Sequence, residues 1–253
     1  MTEEKRRLTL VSESFPDRPA FDTAVSKALL KLVSIGAQRE TLRLYRPGAI
    51  VAFGPQDASS EGFRQAVDAA RECDFAAVLR LAGGRAAVFH QQAIAFSWTI
   101  PEPDPRKGIF QRFETLSRIM VDAFKSLNVD ARVGEVKGEY CPGAYSVNAR
   151  GQRKLMGVGQ RLDARAAHMG GVVVVGASDR VQGVLIPVYK ALNLDWDPST
   201  AGSLQDEVPG LRYEDAEKAI LAKFSATYDL VIAHLTPEAL SLAAKLERDH
   251  VVA

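Results

Sequence analysis

Cysteine is scarce in this sequence: its 253 residues hold only Cys73 and Cys141. Two distant thiols make no disulfide framework. The four histidines are scattered, without the spacing that gathers metal ligands, so no metal site is expected. An excess of one charge is lacking too. Lys and Arg total 32 against 31 Asp and Glu, a net +1, which does not favour nucleic-acid binding through overall charge. No apolar run is long enough to span a membrane, and no apolar stretch follows the charged start Met1-Thr-Glu-Glu-Lys-Arg-Arg7. A cytoplasmic protein with reduced thiols and no membrane association is expected. Neither Gly-x-x-x-x-Gly-Lys-Ser/Thr nor Gly-x-Gly-x-x-Gly occurs, so the two common nucleotide-phosphate loops are missing. Repeats, low-complexity segments and linkers are absent as well.

What is present reads as helices and strands in irregular alternation. The spacing predicts a helix over 20–36, with Phe21, Val25, Ala28, Leu29, Leu32 and Val33 on one face and Gly36 ending it. Further helices are predicted over 61–73, 109–127, 187–194, 214–226 and from Thr236-Pro237, a cap residue followed by proline at the first helical position. Helix 109–127 carries the longest apolar stripe: Phe110, Phe113, Leu116, Ile119, Met120, Phe124 and Leu127. Strands are expected at 8–14, 41–45, 49–53, 75–80, 93–100, 144–148, 153–159 and 171–176. Frequent hairpins among helices suggest an α/β (α+β) fold with one central mixed sheet flanked by helices, not a regular βαβ array. The length suits one domain, 1–253, with a helical C-terminal extension from about 203.

One stretch concentrates the chemistry: Gly138-Glu-Tyr-Cys-Pro-Gly-Ala-Tyr-Ser-Val-Asn-Ala-Arg-Gly-Gln-Arg-Lys-Leu-Met-Gly-Val-Gly-Gln-Arg161. Cys141-Pro142-Gly143 is a turn that puts a thiol on a constrained corner. A hairpin follows, and its return strand holds Lys154 and, beyond it, Gly157 and Gly159, two glycines that let a ligand or another backbone come close. Arg150, Arg153, Lys154 and Arg161 give the thiol a cationic setting, which favours a thiolate nucleophile. A buried packing cysteine is the commoner fate of the residue type, but a Pro-Gly turn argues for a loop. Cys73, flanked by Glu72 and Asp74, reads as a packing or surface residue. Arg80-Leu-Ala-Gly-Gly-Arg85 is a second glycine loop, where backbone N–H groups of Gly83 and Gly84 could approach a carbonyl beside the Arg80 charge. His90 is a possible base, or equally a neutral packing histidine.

The two glycine segments together resemble a known family. Arg80-Leu-Ala-Gly-Gly-Arg-Ala-Ala-Val-Phe-His90 resembles the Arg-x-x-Gly-Gly-(Gly)-Ala-Val-x-His loop of the biotin/lipoate protein ligase and lipoyl/octanoyl transferase superfamily. Gly151-Gln-Arg-Lys-Leu-Met-Gly-Val-Gly-Gln-Arg161 resembles its Gly-x-Lys-(Ile/Val)-x-Gly-x-x-Gln-Arg motif. The resemblance runs from about Ala20 to Gly202. It implies a largely antiparallel sheet with helices packed on it and a tunnel for a medium-chain acyl group. Arg80, Gly83, Gly84 and His90 would belong to the tunnel wall, beside Gly157 and Gly159, and Lys154 would contact the acyl carbonyl.

Tyr140-Cys-Pro-Gly-Ala-Tyr145 resembles the cysteine-dependent amidotransferases that move octanoyl from the glycine cleavage H protein to lipoyl domains. Arg85 stands where ATP-dependent ligases carry a third glycine, and Gln91 where they carry Asp. The implied activity is octanoyl or lipoyl transfer to lipoyl-domain lysines of 2-oxoacid dehydrogenases through a Cys141 thioester. Lys154 would help ionise the thiol. The acyl donor would be H protein or acyl carrier protein, with no cofactor. ATP and Mg would enter only in the alternative, a lipoate–protein ligase acting through lipoyl-AMP. A non-catalytic lipoyl-domain binder is a third reading.

Overall fold

The computed structural model describes residues 5–252; Met1–Glu4 of the charged start lie outside them. In chain order the elements are β1 (Arg6–Val11), α1 (Phe21–Ser34), β2 (Thr41–Tyr45), β3 (Ile50–Phe53), α2 (Pro55–Ala58), α3 (Phe63–Glu72), β4 (Ala76–Leu79), β5 (Ala87–Phe89), β6 (Ala93–Pro101) and α4 (Ile109–Lys125). Then come β7 (Ala131–Val133), β8 (Val147–Ala149), β9 (Arg153–Asp163), β10 (Ala166–Val174), α5 (Ser178–Ala191), α6 (Leu204–Glu207), α7 (Tyr213–Thr227), β11 (Tyr228–Ile232) and α8 (Pro237–Leu246).

The strands form two sheets rather than the single one expected. Eight lie in the order β11-β1-β2-β6-β10-β9-β8-β7. Only β11-β1 and β1-β2 pair in parallel; the other neighbours are antiparallel. The 49–53 and 75–80 strands, expected in this sheet, instead form a three-stranded sheet β4-β3-β5. β3 and β4 run parallel and so need the α3 crossover between them. Their apolar pattern marks them as buried strands and is blind to their partner.

Burial follows the predicted stripes. Leu116, Ile119, Met120 and Phe124 of α4 join Ile220 and Phe224 of α7 and Leu44, Phe96 and Trp98 of the large sheet in one core. Val67 and Ala70 of α3 pack with Val184, Leu185 and Val188 of α5 around Val51 and Phe53 of the small sheet. The predicted face of α1 packs on Ala239 and Ala243 of α8, whose Thr236 cap accepts from the Ala239 amide at 3.1 Å. Phe110 departs from its stripe and is 70% exposed, because it begins α4, ahead of the turns that meet the core.

Further elements differ from expectation: the strand expected at 144–148 is β8, which begins only at Val147. The helix placed at 187–194 runs instead over Ser178–Ala191 with Pro187 inside it. An interior proline costs about 3 kcal/mol, and Val181, Val184, Leu185, Val188 and Tyr189 bury on either side of it. The segment after 203, expected to be helical, also supplies β11, the edge strand beside β1. No described helix is long and apolar enough to cross a membrane.

Candidate active site

β9 and β10 of the large sheet, β5 of the small sheet and the start of α4 enclose a cavity of about 440 Å³, in the usual range for small-molecule sites. Its floor is apolar, with Ala87, Phe89, Ile109, Phe113, Val158, Leu162 and Val172. Arg80, Gly83, Gly84, Cys141, Lys154, Gly157 and Gly159 also line it. Glycine keeps the wall thin: a Cβ at Gly159 would lie 2.9 Å from Ala82 Cβ and 3.3 Å from an Arg80 nitrogen. Phe113 stacks on Tyr145 at 4.8 Å, joining α4 to the loop that carries the thiol.

Cys141 occupies the left-handed region, φ 43°, where non-glycine residues are uncommon and backbone strain marks functional sites. Its amide donates to the Tyr189 hydroxyl at 2.8 Å, and that hydroxyl donates to the Ala86 carbonyl at 3.0 Å. Burial and the neighbouring Cys141 push the Tyr189 phenol well above its ordinary range, so it stays protonated as this relay requires. Cys141 Sγ accepts from the Arg85 amide at 3.2 Å and from an Arg80 guanidinium nitrogen at 3.6 Å. Both groups are hydrogen-bond donors placed where a reacting sulfur would develop charge. The loop over 80–85 is itself held in place. Arg80 donates to the Arg85 carbonyl at 2.9 Å, and the Arg85 side chain pairs at 3.2 Å with Asp57, which is fully buried.

Lys154 lies elsewhere than facing the sulfur. Its ammonium donates to Glu139 Oε1 at 3.0 Å, to the Tyr140 carbonyl at 3.0 Å and to the Cys141 carbonyl at 2.7 Å. Three acceptors occupy three N–H bonds, and the ring of Tyr140 lies 4.8 Å from the same nitrogen. The expected sulfur–ammonium contact is therefore replaced by one to the Cys141 backbone. The left-handed turn at 141 presents the carbonyl to Nζ, while the sulfur meets the 80–85 loop. Glu139 Oε1 also accepts from Ser146 Oγ at 2.7 Å and from the Gly143 amide at 3.2 Å, and Oε2 accepts from the Val136 amide at 3.1 Å. This buried carboxylate ties both ends of the cysteine turn to β9.

Seven of the eight anticipated residues thus line one cavity. The eighth, His90, does not. It is fully buried, Nδ1 accepts from the Gln92 amide at 3.2 Å, and burial, with Arg180 adding, lowers it to about 4. It is neutral at pH 7 as a packing histidine. The cation on the sulfur is Arg80, not the expected neighbours in sequence: Arg150 pairs with Glu207 and Arg153 with Asp206. Sequence reasoning missed Tyr189, Glu139 and the Arg85 amide. Only Glu139 left a signal, as the one acid beside the thiol in a basic stretch. Among the described residues no cluster of three or more His, Cys, Asp or Glu is placed to hold a metal, and both cysteines are free.

Known proteins resemble the chain in sequence and in fold. The octanoyl-[GcvH]:protein N-octanoyltransferase of Geobacillus kaustophilus is 28% identical over 147 residues, 56% of this chain and 52% of that protein. The lipoyl-[GcvH]:protein N-lipoyltransferase of Listeria monocytogenes is 23% identical over 202 residues, 74% of this chain and 72% of that protein. The match thus spans about half the length of the first relative. In fold, the chain superposes on a lipoate-protein ligase A bound with ATP at a TM-score of 0.78 and 19% identity, covering 97% of this chain and 95% of that one. It superposes on a bi-partite lipoate protein ligase from Thermoplasma acidophilum at 0.75 and 20% identity, covering 97% and 93%. Residues 18–225 match the lipoyl protein ligase A/B catalytic domain, and the chain belongs to that family.

Proposed function

We propose that the protein is an acyltransferase of protein lipoylation that moves an octanoyl or lipoyl group to a lipoyl-domain lysine through a thioester on Cys141. The observation that carries this reading is the Cys141 sulfur. It stands on a strained turn beside an apolar cavity and accepts from two N–H donors. The names of the relatives point to an acylated H protein as donor.

In the first step Sγ attacks the acyl carbonyl. The donor's C–N bond, or C–S bond for a thioester donor, breaks, and the leaving amine or thiol takes up a proton. In the second, the neutral lysine amine of the acceptor attacks the acyl-enzyme, the C–S bond breaks, the sulfur leaves as thiolate and the new amide loses a proton. Exchange of one lysine amide for another conserves bond types, so no nucleotide and no metal is required. The Arg80 guanidinium and the Arg85 amide stabilise the attacking and departing sulfur. Lys154 neutralises Glu139 and holds the turn, which makes it a positioning residue here. The cavity floor takes the aliphatic chain.

The test is octanoyl transfer from octanoylated H protein to an apo lipoyl domain without ATP, followed by intact mass. The wild type gains an octanoyl adduct on Cys141 and passes it on, and Cys141→Ser does neither. Transfer only with ATP, or full activity of Cys141→Ser, would favour the ligase reading.

A further inference from the structure

A second cavity, of about 530 Å³, adjoins the first and shares Arg80 and Leu162 with it. Its lining differs in kind. Lys27, Lys31, Arg80 and Arg161 bring four positive charges to it, against Asp163 and Asp249. Lys27 is taken up by Asp249 at 2.9 Å, and Asp163 caps the Ala164 amide at 2.7 Å. Lys31, Arg80 and Arg161 make no salt bridge among the described residues. Lys27 and Lys31 also stand four residues apart on α1, where like charges repel. An anion placed there would give Lys31 and Arg161, both exposed, a charge partner.

The cavity begins within one guanidinium of the reacting sulfur, because Arg80 lines it and also lies 3.6 Å from Cys141 Sγ. A substrate whose acyl chain fills the apolar cavity has this second, basic cavity next to it, joined through Arg80 and Leu162. The relatives' names make donor and acceptor both proteins, so the adjoining groups are amino-acid side chains. We propose that this cavity is the docking subsite for carboxylates flanking the modified lysine of the protein substrate, read chiefly by Lys31 and Arg161. The inference rests on the transferase reading above and adds how the protein substrate is recognised.

The experiment compares wild type with Lys31→Glu and Arg161→Glu on two reactions. One is Cys141 acylation by octanoyl-N-acetylcysteamine, a small neutral thioester. The other is octanoyl transfer to an apo lipoyl domain, followed from 50 to 500 mM NaCl. The rate ratio of protein transfer to small-thioester acylation is expected to fall at least tenfold in each variant, mainly through KM. The salt dependence of the wild type should flatten in both. A lipoyl domain with an acid beside its lysine changed to Lys should recover activity with the Glu variants and lose it with wild type. An unchanged ratio and salt slope would overturn the proposal. So would competitive inhibition by inorganic phosphate that disappears in Lys31→Glu while lipoyl-domain KM stays constant, since the subsite would then read phosphate. Failure of the transferase reading looks different: the wild type itself would acquire no acyl group from either donor.

Discussion

Gly83 and Gly84 are neighbours and both line the cavity, yet alanine should disturb only the second. At Gly84 the backbone φ is +109°, which strains any L side chain, at a cost of about 1–3 kcal/mol. The added Cβ would also lie 2.9 Å from Cys141 Sγ and 3.0 Å from the Arg80 guanidinium. Non-bonded carbons settle at about 3.5–4.0 Å, so the sulfur or the guanidinium must retreat by roughly half an ångström to one ångström. Misplacement of that size costs a reaction about a hundredfold. At Gly83 an added Cβ meets no heavy atom within 4 Å.

Gly84→Ala should therefore lose about 1–3 kcal/mol in urea unfolding, alkylate with iodoacetamide more slowly, and drop octanoyl transfer about a hundredfold. Gly83→Ala should keep wild-type stability and alkylation rate. Any effect of that variant should appear in the KM for longer acyl chains, because the new methyl occupies the cavity and not the protein. Gly84→Ala with wild-type alkylation and transfer would refute the contact between the 80–85 loop and the thiol on which this reasoning depends.

Other expectations follow from the same geometry. Lys154→Ala leaves Glu139 charged, buried and unpaired, and should cost about 3–5 kcal/mol in chemical denaturation. Cys141→Ser should stay near wild-type stability, so the two losses of activity are separable by their melting curves. Tyr189→Phe strips the bridge between the Cys141 amide and the Ala86 carbonyl. It should cost about 1–3 kcal/mol and slow iodoacetamide alkylation of Cys141. Burial lowers both His90 and His168 from 6.5 to about 4. The unfolded chain takes up these protons first, so their contribution is complete above pH 6.5 and is lost as pH falls towards 4. At pH 5 the loss is about 2 kcal/mol for each histidine. His168→Gln should shrink the drop in unfolding free energy between pH 7 and pH 5 by that amount.

Much of the fold could be read in order along the chain. The apolar stripe of α1 and the cap of α8 are local patterns, and the helices that carry them form where the periodicity places them. The two glycine segments, with a thiol on a Pro-Gly corner between them, were legible for the same reason. A turn and a bare strand are written in a few consecutive residues, and seven of the residues they marked meet in one cavity.

What periodicity lacks is a partner. It marked β3 and β4 as buried strands, and the tertiary structure put them in a sheet of their own. It could not see that burial of Val184, Leu185, Val188 and Tyr189 carries α5 through Pro187. The electrostatics of the thiol were decided the same way. Proximity in sequence pointed to Lys154, thirteen residues away. The groups that reach Sγ are Arg80 and the Arg85 amide, 61 and 56 residues away. One backbone angle separates these outcomes: with φ 43° at Cys141, the carbonyl meets the lysine and the sulfur meets the other glycine loop. That angle is held by a tyrosine on a distant helix and by a buried carboxylate, and so it is a property of the folded chain.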